Sequence, residues 1–384
     1  MRIAILTAVF HPELHPRAFR AYELAKEYAK QGHEVEVFLL TRIKGFDYMQ
    51  LGENLHIKIT ILPLYTRELG AQNVFQQTNP ILRWVHWGYR WLLEYLLAGN
   101  LFAYSTRIAE HLKQTMKEKD MVIALSTPFM DLLGLAKYVH QLPNNTEKKT
   151  TYVADSGDPF YYSQQTKRAL YFKWIEKWVY RHFDYLSIPT SDAIPAYAPL
   201  IPIEKIKIIP QAFNMRDVNL APVPTGNIPT FAYAGVFYQD IRNPEFLFQH
   251  LCTLKEDFRF HVYLRHRDPY TTSILNKYQQ QLGEKLVVHY SVERTELLYR
   301  LSECHFLVNI SNTTTTQLPS KLIDYGITKR PVYSFDKQSF KTHILDEFMH
   351  GNYTNAMAID IHPYDIEVVT KQFLDLHNPH NTCQ

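Results

Sequence analysis

Glycine is scarce in this chain, 13 in 384 residues, and no Gly-x-Gly occurs anywhere. The dinucleotide-binding fingerprint and the phosphate-cradling P-loop are therefore both missing, which disfavours a nicotinamide-dependent reaction. No Asp-x-Asp occurs either, so a sugar-transfer site built around a metal-binding carboxylate pair is not expected, and no metal or other cofactor is inferred. The three cysteines, Cys252, Cys304 and Cys383, are odd in number and scattered. They suggest neither a disulfide framework nor a metal cluster, and fit a reducing cytoplasm. Charge of one sign is lacking too: 41 Lys and Arg against 38 Asp and Glu leave +3. That balance gives no reason to expect a nucleic-acid partner. No uncharged apolar run reaches the roughly 18 residues of a membrane span, and the opening RIAILTAVF lacks the parts of a signal peptide.

What is present is apolar and aromatic: 46% hydrophobic residues, with 26 Tyr and 22 Phe. A chain of this length divides naturally into two domains. RIAILTAVF reads as a buried strand. Residues 16–30 carry Ala18, Ala21, Leu24, Ala25 and Tyr28 at helical spacing, and EVEVFLL follows Gly32 as the next strand. The alternation continues through MVIALS, TTYVA, DYLSIPT and KIKIIP. It pauses in the proline-rich MRDVNLAPVPTGNIPT, a linker by composition. It then resumes with TFAYAGVF, FRFHVYLR, KLVVHYS, HFLVNIS and PVYSF. The expectation is α/β throughout. A Rossmann-like domain over 1–213 and another over 214–384 would have parallel sheets facing each other across a cleft, with the last helix free to pack back on the first domain.

One stretch of the second half carries chemistry. In QLPSKLIDYGITKRPVYSF, Pro319 ends any preceding element, Ser320 is a good N-cap, and Gly326 signals an early end of the helix. A helix start offers unpaired N–H groups and partial positive charge to a phosphate, and Lys321 adds to both. Asp324, one turn on, shares the face of Ser320, where a carboxylate can accept the vicinal hydroxyls of a ribose. Phosphate at the tip and ribose one turn down is a nucleoside-diphosphate footprint. An ordinary capped helix with a solvated Asp explains the same residues, and the stretch alone does not decide.

Taken in order, six segments resemble the family 4 group of GT-B glycosyltransferases: FHPELHPRAFRAYELAKEYAKQGHEVEVF, ADSGDPF, IEKWVYRHFDYLSIPTSDA, KIKIIPQAFN, FAYAGVFYQDIRNPEFL and LPSKLIDYGITKRPV. The resemblance implies a retaining, nucleotide-sugar-dependent enzyme that binds donor in its C-terminal domain. The second carboxylate of the family's Glu-x7-Glu pattern, the ribose contact, matches Asp324. Backbone N–H groups of Ser320, Lys321 and Leu322 would hold the diphosphate. Gly235 matches the glycine after the first strand of that domain, and Arg242 the second of two cations that neutralise the leaving group. Three departures stand out. Thr316, with Gln317 beside it, occupies the position of the carboxylate that contacts the donor sugar. Val236 replaces the first cation, leaving Arg265, Arg267 or Arg17 to compensate. ELHPR stands where many relatives have a Gly-Gly pair, so Arg17 and Arg20 offer forks for phosphate or an anionic acceptor instead.

Other constellations bear on the acceptor. ADSGDPF places Asp155 and Asp158 in a tight loop; Asp155 reads as satisfying loop N–H groups, while Asp158 is a candidate base or acceptor-orienting group. His11, a lone histidine beyond the first strand, reads as structural. Trp84, Trp87 and Trp91 share one helix face beside Arg83 and Arg90, which suits either a core or a membrane interface. Trp174 and Trp178 read as packing. Two functions stay open: transfer of sugar to a glycan or lipid-linked acceptor in cell-surface polysaccharide or glycolipid synthesis, in the cytoplasm or at the inner face of the membrane; or a non-catalytic nucleotide- or glycan-binding scaffold.

Overall fold

The computed structural model describes residues 1–13, 15–67, 80–126, 128–143, 150–163, 166–239, 242–264, 267–311 and 320–377, with side chains for all of these but 63, 65–67, 80–86 and 320. Thr316, Gln317 and Arg265, three of the weaker donor-site expectations, lie outside the described residues, as do the side chains of Arg83 and Trp84.

Two compact units form, one of Met1–Phe213 with Tyr364–Gln384 and one of Asn214–Pro363. In the first, strands β1 (Arg2–Thr7), β2 (Glu34–Ile43), β3 (Lys58–Arg67), β4 (Met121–Leu125), β5 (Thr151–Asp155), β6 (Tyr185–Ile188) and β7 (Ile206–Ile208) form a parallel sheet in the order β3-β2-β1-β4-β5-β6-β7. Helices α1 (Pro16–Lys30), α2 (Tyr48–Leu55), α3 (Pro80–Leu97), α4 (Leu101–Thr115), α5 (Met130–His140), α6 (Tyr171–Tyr180) and α7 (Ile194–Tyr197) connect the strands. The uninterrupted apolar run of β1 is what a parallel strand covered on both faces requires: Ile3, Ala4, Ile5 and Leu6 are all fully buried. They feed two core layers, Ile3 and Ile5 into one and Ala4 and Leu6 into the other. Helix α1 buries the five apolar residues its spacing predicts, and Gly32 turns the chain out of it at φ +81°.

The outermost strand, β3, was not legible. KITILPLYTR contains Pro63, which argues against a central strand but is tolerated at an edge, and the β2–β3 register shifts at Leu39/Thr41. The Trp174 expectation is also corrected. Trp178 packs on His182 and His140, but Trp174, one turn earlier, points to solvent.

The second unit holds β8 (Thr230–Ala234), β9 (Arg259–Leu264), β10 (Leu286–Tyr290), β11 (Phe306–Ile310) and β12 (Val332–Phe335), parallel in the order β10-β9-β8-β11-β12. Around them lie α8 (Glu245–Leu251), α9 (Pro269–Leu282), α10 (Arg294–Ser302), α11 (Ser320–Thr328) and α12 (Thr342–Met349). Phe231 on the central strand stacks between Phe260 and Phe306, at centroid distances of 4.6 and 4.8 Å. The proline-rich segment is not a loose tether: Ala221 N donates to Ser302 Oγ, and Arg330 Nη2 donates to the carbonyls of Ala221 and Pro222. The last helix, α13 (Ile366–Asp375), belongs to the first unit. There Gln31 donates to Thr370, and Phe373 lies under the Arg20 guanidinium.

Helix α11 ends at Thr328, within the expected stop that runs from Gly326 to Arg330. Gly326 lies inside it because a Cβ there would collide with Ile361, and the helix ends two residues later, with Lys329 in the left-handed region at φ +57°. Ser320 is its first helical residue.

Candidate functional site

In each sheet the chain reverses direction at one point, between β1 and β4 in the first unit and between β8 and β11 in the second. Beyond the carboxyl ends of such strands a doubly wound sheet opens a crevice, and ligands of such folds bind there. Several of the residues singled out from sequence fall at or near these two points.

In the second unit, β8 ends at Ala234 and Gly235 follows at φ +137°, a conformation few other residues adopt, with a Cβ there meeting the Tyr233 hydroxyl at 3.3 Å. The start of α11 lies beside this turn because Tyr325 ties the helix to both strands. Its hydroxyl accepts from Ala234 N at 2.7 Å and donates to the Val308 carbonyl at 3.2 Å. Leu322 and Ile323 are buried beneath. Lys321 Nζ donates to the carbonyl of Ile310, the last residue of β11, at 3.2 Å and stands 4.9 Å above the Tyr233 ring. Burial, reinforced by the nearby charge of Arg242, lowers the Lys321 ammonium to about 7.

Arg242 approaches from the turn after Gly235. Its backbone pairs with that of Tyr238 in a small antiparallel bridge, its guanidinium lies 5.8 Å from the Tyr238 ring centre, and its charge acts on the buried Tyr233 hydroxyl, opposing the rise in pKa that burial causes there. Tyr233 in turn donates to the Val236 carbonyl at 3.2 Å. Lys321, Arg242 and Gly235 are thus gathered around one buried tyrosine. Asp324 has a partner that sequence reasoning missed. Arg294, the first residue of α10, donates to Asp324 Oδ1 from Nη2 at 2.6 Å and from Nε at 3.1 Å. Burial raises the Asp324 carboxyl and Arg294 pulls it back. No local pattern announces this contact, since it needs α10 beside α11. Arg267 lies over Tyr290 at 4.5 Å.

At the first unit's reversal point the arginines are committed inward. Arg20 Nε and Nη2 grip the two oxygens of Asp155 at 2.6 and 2.9 Å, Arg17 Nη1 adds a third bond at 3.1 Å, and Ser187 Oγ a fourth at 2.9 Å. Burial opposes the charge on Asp155, but Arg20 and Arg17 outweigh it and hold the carboxyl below its usual range. Arg17 also donates to the Ser126 and Asp155 carbonyls, and a Cβ on Gly157 would stand 3.2 Å from its Nη2. Arg17 therefore ties the start of α1 to the ends of β4 and β5, and Arg20 ties the same helix to β5 and, through the Ile209 and Pro210 carbonyls, to the segment after β7. Both forks, expected to be offered to phosphate or an anionic acceptor, are engaged within the protein, and Asp155 takes side-chain cations rather than loop N–H groups. Asp158 is exposed, with its backbone carbonyl accepting from Ser156 Oγ. His11 packs against Tyr22 and Phe46, and burial lowers its pKa.

Asp131, at the start of α5, was not foreseen at all. It is completely buried, its Oδ2 accepts from Ala8 N at 2.9 Å, and its Oδ1 has no hydrogen-bond partner. Burial lifts its carboxyl well above the usual range, against the opposing bond from Ala8 N. Among the described residues no group of three or more His, Cys, Asp or Glu could hold a metal ion.

Two doubly wound parallel sheets in sequence, each with its reversal point furnished in this way, define the GT-B fold. No protein-family model and no curated protein sequence matches the chain. Solved structures do. Anabaena HepE in complex with UDP aligns with a TM-score of 0.57 at 12% identity, covering 99% of this chain and 100% of that one. The apo lipopolysaccharide outer core galactosyltransferase WaaB gives 0.53 at 14% identity over 99% of both chains. TarM gives 0.54 at 10% over 98% of both, and HepE has also been solved with UDP-glucose. At such identities the likeness extends to the fold.

Proposed function

We propose that the protein is a glycosyltransferase that moves a sugar from a nucleoside-diphosphate donor, UDP-linked by the analogy of HepE, to a glycan or lipid-linked acceptor in the cytoplasm or at the inner face of the membrane. One observation carries the reading: at the reversal point of the second sheet, two cations and a carboxylate converge on the start of α11 beside a glycine turn. In this reading the backbone N–H groups of Ser320, Lys321 and Leu322 receive the diphosphate. Asp324, whose two Arg294 bonds both use Oδ1, presents Oδ2 to the ribose.

As the glycosidic bond breaks, charge grows on the departing diphosphate. Arg242, and Lys321 once the bound diphosphate has raised its pKa, stabilise that charge, so that Lys321 supplies from α11 the cation missing at Val236. Thr316, Gln317 and Arg265 remain candidates around the donor sugar, and Asp158 on its exposed loop a candidate for orienting the acceptor hydroxyl. No step calls for a metal, since the diphosphate's counter-charge is cationic side chains and a helix start. Retention of anomeric configuration rests on the family resemblance.

The test is transfer and donor hydrolysis with a panel of nucleotide sugars, alongside nucleotide binding by calorimetry. Binding with turnover of at least one donor supports the proposal. Binding with no turnover of any donor supports a non-catalytic scaffold, and no binding removes both.

A further inference from the structure

Two histidines at the ends of separate helices of the first unit bring ring nitrogens together. His140 is the last residue of α5, and His182 lies just past the end of α6. Nδ1 of His140 stands 3.2 Å from Nε2 of His182, with the ring planes at 88° and the ring centres 5.1 Å apart. Trp178 packs on both, edge-on to His140 and 4.4 Å from His182.

The tautomer of one ring is fixed. Nδ1 of His182 lies 2.9 Å from the Trp178 carbonyl, which can only accept, so in the neutral ring that nitrogen carries the proton and Nε2 presents a bare lone pair. A ring N–H donated to a backbone carbonyl is also how a metal-ligating histidine is oriented. The spacing points the same way. Two nitrogens each about 2.0–2.1 Å from a tetrahedral ion stand roughly 3.3 Å apart, with their ring centres about 5.2 Å apart. An in-line hydrogen bond of the observed length would separate the centres by about 5.5 Å instead. A second histidine pair, His261 on β9 and His289 on β10, has that in-line form, with nitrogens 3.0 Å and centres 5.3 Å apart.

The setting suits a cation. Each histidine sits at or just past the carboxyl end of its helix, where unpaired carbonyls carry partial negative charge. Arg181, next to His182, opposes it, but this arginine is exposed and its charge is screened by water. His140 is exposed and His182 half-buried, so water can complete the coordination.

We propose that His140 and His182 bind one late first-row divalent cation, of the zinc and copper class, clipping the end of α5 to the end of α6. Imidazole nitrogens select such ions over magnesium and calcium, which prefer oxygen. Binding releases no net proton: His140 passes its proton from Nδ1 to Nε2 by exchange with water, and both free lone pairs then face the ion. With two protein ligands the ion exchanges freely, unlike one in a closed structural cluster. It takes no part in sugar transfer. It braces α6, whose buried Glu176 accepts from the N–H groups of Phe160 and Tyr161 in the loop after Asp158. The proposal stands apart from the donor site and holds whether or not the protein transfers sugar.

Titration of zinc chloride and of copper(II) chloride into the tag-free full chain, dialysed first against chelator, tests it. The expected result is saturable binding of one ion per chain that raises the thermal midpoint, resists excess magnesium and survives in His261→Ala. His140→Ala and His182→Ala should each lose it. Neither truncation opens a buried cavity, so circular dichroism should show both variants folded. Copper bound to the His261→Ala chain should show splitting from two imidazole nitrogens in its electron paramagnetic resonance spectrum, a readout that does not depend on the site variants folding. Binding that persists in His140→Ala or His182→Ala, binding lost in His261→Ala, copper held by one imidazole or none, or no saturable binding overturns the proposal. The pair would then be a plain hydrogen bond fastening the two helices.

Discussion

Arg294 holds Asp324 by a single oxygen, donating from both Nη2 and Nε to Oδ1. The pair joins the first residue of α10 to the second turn of α11, and it is partly open, with 45% of the arginine and 20% of the aspartate side chain exposed. At that exposure the ion pair contributes little to stability, about 1 kcal/mol or less. What it does is orient a carboxylate whose charge burial would otherwise suppress. Asp324→Ala should therefore leave the thermal midpoint nearly unchanged while weakening UDP binding by roughly 1.5 to 3 kcal/mol, the worth of hydrogen bonds to a charged acceptor. Arg294→Gln should produce a smaller loss of the same sign. Calorimetry that finds affinity intact in Asp324→Ala removes this carboxylate from the nucleotide site.

Lys321 gives the site a pH signature. Its ammonium, lowered to about 7 by burial and by Arg242, is half deprotonated at neutral pH without ligand. A diphosphate placed beside it raises that pKa, so binding draws in a proton. Affinity for UDP should fall as pH rises above 7, and calorimetry near pH 8 in buffers of different ionisation enthalpy should register uptake of a fraction of a proton. Lys321→Met should bind more weakly and abolish the uptake. If uptake persists unchanged in that variant, the proton goes elsewhere.

Strands buried on both faces, such as β1 and β4, announce themselves as unbroken apolar runs, and α1 matches its 3.6-residue spacing from Pro16 to Lys30. The edge strand β3 was lost because Pro63 mimics a break. The start of α11 and the carboxylate one turn later were legible because helix-tip chemistry is local. Arg294, Tyr233 and the grip of Arg20 on Asp155 were not. Each joins residues about 30 or more positions apart or lies in a strand reading as plain core, where sequence carries no sign of the partner.

Arg242 tests catalysis apart from binding. Glu245, three residues on, pairs with Lys277 at 2.6 Å. Arg242→Ala should lower kcat on the order of a hundredfold with a smaller change in donor affinity, since a preorganised charge acts most when the leaving group gains charge. Arg242→Lys should recover part of the loss, keeping a point charge without the planar fork. Glu245→Ala should leave turnover unchanged. Equal small losses in the Arg242 and Glu245 variants would hand the counter-charge to Lys321 alone.

Two buried carboxyls of the first unit titrate in opposite senses, and the difference can be measured as stability. Asp155, held low by Arg20 and Arg17, contributes stability that is present above its unfolded pKa and lost as pH falls through its folded one. Asp131 is the reverse. Its folded pKa is raised, so above the unfolded value, near 3.9, the native state binds a proton that the unfolded chain has released, and stability declines as pH climbs. Asp131→Asn replaces the carboxyl by a group of the same shape that never ionises. Its amide oxygen can still accept from Ala8 N, while its amine introduces two donors into a site where Oδ1 already lacks a partner. At pH 4 the variant should match or fall slightly below wild type, the unmet donors costing about 1 to 3 kcal/mol at most. By pH 8 the ionisation penalty carried by wild type alone should narrow that gap or reverse it. Thermal melts of both proteins from pH 4 to pH 8 decide the matter: a difference between them that does not move with pH would mean that Asp131 ionises in the folded protein as easily as in the unfolded chain, and that its missing partner is supplied by water.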